Sequence, residues 1–251
     1  MSLVMGYSIQ RFKQRFSSTF RPFTKGAMGL LALCALVACS PSDPEPESAG
    51  TRALTKLITA EQYSNTLTYV FGPGIDAQVQ FAPVARNEGL LANSLATAGV
   101  SGGQVQTIQS IASSVAKQVM DVENRQHLVA CRPESIDGPD HACATLFVST
   151  VGRLLFRRAL SDDEIATYVE YASVAAQELD GKASEGEELD GFYAGLEVVL
   201  EGLLLHPEVL FIIESAEPDP SPNHPEQLRL DAYSLASRLS FFLWNASPDD
   251  E

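Results

Sequence analysis

The chain has 251 residues, 45% of them hydrophobic, and a formal charge of −15 at pH 7, which allows one or two domains with a sizeable core. Residues 1–38 hold five bases (Arg11, Lys13, Arg15, Arg21, Lys25) and no acids, so the remainder carries −20. Phosphate backbones are held by clustered Lys and Arg, and that balance excludes nucleic-acid binding.

The basic start leads into an apolar run, "AMGLLALCALVACS". At about a dozen residues the run falls short of the roughly 20 needed to span a bilayer. A basic stretch, a short apolar stretch and small residues together predict a signal peptide over residues 1–38. Leu36-Val37-Ala38-Cys39 resembles a bacterial lipobox, with cleavage after Ala38 and a diacylglyceryl thioether on Cys39. The alternatives are a soluble periplasmic protein cut near Ser40, or an uncleaved anchor. Leu36 is too large for an ordinary signal cut three places on. Residues 39–53, rich in Pro, Ser and acids, predict a flexible tether. These features together predict an outer-membrane lipoprotein, facing the periplasm or the surface, whose partners are the membrane and other envelope proteins.

The rest reads as helices, without sustained period-two alternation, so the expected class is all-α. Thr59 and Gln62 are spaced as a capping box for a helix that ends at Gly72-Pro73. Val105, Ile108, Ile111, Ala112, Val115, Val119 and Val122 form one apolar stripe of a second helix. "CATLFVSTVGRLLFRRAL" predicts a third, turned inward by Phe147, Val151, Leu154 and Leu155, with Arg157 and Arg158 at its negative end. Ser161 to Glu164 form a second capping box, opening a fourth helix. An acidic stretch follows, then "GFYAGLEVVLEGLLL", apolar on most sides and so central. "HPEVLFIIE" fits a short helix or a strand, and "DAYSLASRLSFFLWN" a last complete helix. Ser247-Pro248-Asp249-Asp250-Glu251 has the form of a further capped helix start, from which a chain cut short at its C-terminal end is expected. The expected division is 54–130, 131–178 with the cysteine loop, and 179–251.

Of four cysteines, Cys34 leaves with the leader and Cys39 is lipidated, so Cys131 and Cys143 remain. A pair in an oxidising compartment predicts a disulfide. The competing possibility is a zinc site of His127, Cys131, His141 and Cys143, although the usual paired-cysteine spacing is missing. No phosphate loop, HExxH, G-x-S-x-G or CxxCH haem motif occurs, so no catalytic residue is assigned and no cofactor is expected in this chain. His206 fits a structural place at a helix end, and His224 a solvated loop. Glu185, Glu187, Glu188 and Asp190 fit a solvated acidic loop rather than a calcium site. Glu197 and Glu201 mark the wet stripe of the central helix, with Glu214 beyond it. Tyr233, Phe241, Phe242 and Trp244 could make a sugar-stacking platform, but at helical spacing they predict core.

"LTKLITAEQYSNTLTYVFG", "LFVSTVGRLLFRRALSDDEIATYVEYA", "GLEVVLEGLLLHPEVLFIIE" and "LDAYSLASRLSFFLWNASPDDE" resemble segments of large secreted planctomycete and myxobacterial multi-domain proteins. Those proteins are built from domains of unknown function 1587, 1595 and 1592. Ala159 stands where that family has Pro, and Thr68-Tyr69 where it has Arg-Asp. The resemblance implies a helical, exported protein, and implies pairing of Cys131 with Cys143. It leaves two functional expectations. One is a lipid-anchored interaction or scaffold module. The other is part of an envelope enzyme, c-type-haem-linked or polymer-degrading, with its active site in further C-terminal domains.

Overall fold

Local capping sets where the helices begin. In the computed structural model helix α1, Ala60–Phe71, opens at the expected box: Thr59 Oγ1 accepts the Gln62 N–H, and Gln62 Oε1 accepts the Thr59 N–H, both at 3.1 Å. Helix α2, Gly102–Met120, has the same device from Ser101 and Gln104. The expected stripe is buried from Ile108 to Val119, while Val105 and Val122 are exposed. The chain breaks at Asp121, whose carboxylate accepts the Glu123 N–H at 2.9 Å and starts α3, Val122–Leu128. Helix α4 spans His141–Phe156 and α5 Asp162–Leu179, the latter opened by the Ser161–Glu164 box. They are followed by α6, Gly191–Leu204, α7, Pro207–Leu210, and α8, Ala232–Leu243.

The structure describes residues 52–84, 86, 88–89, 95, 99–184, 187–188, 190–220 and 227–249. The expected leader with Ala38, Cys39 and most of the expected tether, Glu185 and His224 lie outside them. The described residues belong to one unit, Gly50–Glu251; the divisions expected after residues 130 and 178 fall inside it. Eight described helices make the fold mostly all-α. Among the described residues no helix is long and apolar enough to cross a membrane.

Among the described residues, six short strands add to the expected helices. Strand β1, Thr55–Leu57, pairs antiparallel with β4, Phe211–Ile213, which settles the ambiguous Ile212-Ile213 run as strand. Ala183–Ser184 (β2) pairs with Glu187–Glu188 (β3), and Ala216–Pro218 (β5) with Leu228–Leu230 (β6). Two or three residues are too few to show a period of two.

Helix α6 is central, as its apolar sequence predicts: Leu196, Leu200, Leu203 and Leu204 are fully buried. It packs most extensively on α5 and next on α2. Gly191 and Gly195, one turn apart, permit the approach to α5. A Cβ on Gly195 would lie 2.3 Å from the Ala172 carbonyl, and one on Gly191 2.7 Å from that of Ala176. The core cluster is drawn from residues between Ile58 and Phe241.

Candidate functional site

The polar residues nearest the core are tied to one another. Arg158, just past α4, donates to both oxygens of Glu208 (2.7 and 2.6 Å), both of Glu164 (3.0 and 2.7 Å) and the Ala159 carbonyl (3.0 Å). A guanidinium has five N–H donors, and all five are committed. The Arg158 hydrogen bonds hold the Glu164 carboxyl down at about 2, despite some opposing desolvation. Glu164 also accepts from Ser161, closing the α5 cap. A carboxylate so saturated is a fastening, not a general acid.

His206 lies beside this group, stacked on Phe156 at 4.4 Å between centroids. The sequence placed it at a helix end in a structural role, which following α6 would favour a protonated ring. Instead His206 caps α7, its Nδ1 accepting the Glu208 N–H at 3.2 Å, a role only an unprotonated nitrogen can fill. Burial pushes its pKa down, with Glu208 opposing. With Asp163, Glu164, Thr167, Tyr168 and Tyr171 it lines an open groove of about 360 Å³.

Two further arginines fasten the C-terminal part. Arg157, in the left-handed region at φ 60, caps α4 and is nearly fully buried. It donates to the carbonyls of Leu155, Glu208 and Phe211, and its guanidinium stands 5.7 Å from the Phe241 ring. Burial lowers its pKa to about 10, so it stays charged at neutral pH. Arg238 of α8 donates to both oxygens of Glu214, whose side chain is fully buried. Glu214 also accepts the Leu54 N–H at 2.9 Å.

Helix α8 is inside out. Its inner face consists of Ser234, Ser237, Ser240 and Phe241. Ser234 Oγ accepts the Ser215 N–H and Ser240 Oγ donates to the Ala246 carbonyl, both at 2.8 Å. Its outer face carries Leu235, Leu239, Phe242 and Leu243, with Phe242 83% exposed and Trp244, at the C-cap, 70% exposed. Of the four aromatics expected in the core only Phe241 is buried; Tyr233, Phe242 and Trp244 are corrected to surface. The cause is that hydrogen-bonded serines fit the close contact with the β4–β5 link and the 245–247 turn. Periodicity alone cannot tell which stripe faces in.

Cys131 and Cys143 form a disulfide, Cα–Cα 5.5 Å, that ties the preceding loop to the first turn of α4. Their sulfurs are therefore not available as the two thiolates that the zinc alternative with His127 and His141 needs. Among the described residues no three His, Cys, Asp or Glu are grouped to hold a metal ion. Asp190 pairs with Arg125 at 2.7 Å. Ser247 does not cap a described helix; it is buried, its Oγ 3.1 Å from Thr66 Oγ1 of α1. The sequence reading missed the double bidentate role of Arg158. The signal was present: Glu164 is the N3 carboxylate of a capping box that starts three residues after Arg158. No family model, no curated protein and no solved structure matches the chain, so the resemblance rests on its motifs.

Proposed function

We propose that this is an exported cell-envelope protein, lipid-anchored through Cys39, that acts as an interaction or scaffold module rather than as a catalyst. The observation that carries the reading is the inverted helix α8. A soluble surface seldom displays large apolar side chains in a contiguous stripe unless a partner covers them, and here Leu235, Leu239, Phe242 and Leu243 share one stripe. The committed donors of Arg158 and the saturated Glu164 support the same reading, since both hold structure together.

Two measurements test it. The mass of the N-terminal peptide from the membrane fraction should show a lipid-modified Cys39, and Cys39→Ser should release the protein from the membrane pellet. Leu239→Ser combined with Phe242→Ser should leave the fold intact and detach the unlipidated protein from envelope material. A double variant that unfolds, or that binds the envelope as before, removes α8 as the interaction surface.

A further inference from the structure

The geometry points to a lipid surface, zwitterionic in its headgroups, as the partner of α8. This rests on the reading that Cys39 carries an anchor and deepens it: the anchored domain lies against the membrane through the outer face of this helix.

Where the chain from the anchor joins the folded domain comes first. Arg238 Nη2, on α8, donates to the Arg52 carbonyl at 3.3 Å, and its partner Glu214 accepts the Leu54 N–H. The chain arriving from Cys39 therefore meets the domain at α8. From Cys39 to Arg52 the chain can reach at most roughly 45 Å. Acyl chains seated in a bilayer keep this end of the domain near its surface.

The make-up of the stripe is independent of that. Ala232, Leu235, Ala236, Leu239, Phe242 and Leu243 are all exposed, and none carries a charge or a side-chain hydrogen-bonding group. Protein interfaces surround an apolar centre with a polar rim that fixes register, whereas hydrocarbon asks for no such groups. Tyr233 in the first turn and Trp244 at the C-cap flank the stripe, and such rings settle at headgroup level. At about 18 Å the helix suits lying in the interface plane, its apolar face roughly 5–10 Å deep.

Charge selects the lipid. The chain beyond the leader carries −20, which repels an anionic surface, and Arg238, the one cation within α8, is committed to Glu214. Zwitterionic headgroups avoid the repulsion, and attachment should be insensitive to salt.

The chain carries its own probe, because Trp244 is its one tryptophan. The full lipidated protein, reconstituted into phosphatidylcholine vesicles, should show Trp244 emission at shorter wavelength than in water. That emission should be quenched by acyl-chain-brominated lipid and shielded from aqueous iodide. Phe242→Ser, with circular dichroism unchanged, should reverse all three. Vesicle-bound protein whose Trp244 stays open to iodide overturns the proposal while leaving the anchor standing. Shielding that ignores brominated lipid assigns the face to a second copy where it grows with protein-to-lipid ratio, or to chain following residue 251 where it does not, and overturns the proposal in either case. The mass of the Cys39 peptide reports the anchor separately; a bare thiol there removes the anchor on which the proposal rests and overturns it with that reading.

Discussion

Helices α6 and α8 treat their leucines oppositely. Both are short and rich in Leu, yet α6 buries its leucines and α8 turns its own outward. The difference lies in what each helix meets. Helix α6 sits between α5 and α2, where Gly191 and Gly195 let apolar surfaces close to contact. Helix α8 meets polar backbone, at the β4–β5 link and the 245–247 turn, and answers it with serines. Burial follows the chemistry of the facing surface, and hydrophobicity decides only when that surface is apolar as well.

Breaking the mounting of α8 should have the largest effect. Arg238→Met leaves the Glu214 carboxylate buried without its cation, and removing one partner of a buried pair costs about 3–5 kcal/mol. Urea unfolding should show that loss, and Glu214→Gln together with Arg238→Met should recover part of it. A single variant as stable as the parent would mean that water reaches Glu214. Reduction of Cys131–Cys143 comes next, at roughly 3 kcal/mol for a loop of this size in the chain-entropy account. Intact mass should rise by about two daltons on reduction, and the urea midpoint should fall. On the α6 side, Gly195→Ala forces a methyl against the Ala172 carbonyl, and overpacking of this kind costs about 1–3 kcal/mol. The same change at Gly202, which faces open space, should be neutral or slightly stabilising.

Acid should loosen the tie that Arg158 makes between α7 and α5 in two stages. A base whose folded pKa is lowered holds fewer protons than the unfolded chain, so stability falls as pH drops. For His206 the fall begins near its unfolded value of about 6.5 and is complete below its lowered folded value. Glu164 is the usual carboxylate case: its contribution is full above about 4.5 and is lost as pH falls to about 2. His206→Asn keeps an acceptor for the Glu208 N–H without titrating. It should abolish the first stage and leave the second, as read from urea midpoints between pH 7 and pH 2.

The parts of the fold written locally were legible. The boxes Thr59–Gln62 and Ser161–Glu164 form as spaced, because both partners lie within one turn. The central place of α6 was legible because its apolar residues occupy every side but the stripe of Glu197 and Glu201 and leave little choice of face. The break at Asp121 was not, since Val122 continues the three- and four-residue steps and only the cap ends them. Nor were the β ladders, whose partners, such as Thr55 and Ile213, lie far apart in sequence. For the candidate site the limit was sharper. The stripe Leu235, Leu239, Phe242 and the stripe Ser234, Ser237, Phe241 are both helical, and periodicity finds two faces without saying which is inside. The decisive partners, Ser215 and Ala246, stand outside the helix.

Two adjacent residues test that distinction most closely, one of them with almost no expected effect. Phe241 is 8% exposed and Phe242 is 83% exposed. Phe241→Ala opens a cavity under the Arg157 guanidinium and should cost about 3–5 kcal/mol. Phe242→Ala removes a side chain already in water and should change stability by no more than about 0.5 kcal/mol. Thermal unfolding of the two variants should therefore differ by many degrees from a one-position shift. If the costs are equal, the outer face is packed in the free protein and α8 is an ordinary core helix. If they differ as expected, whatever keeps Phe at 242 acts through a surface the folded domain does not need for its own stability, which is the property of a docking face.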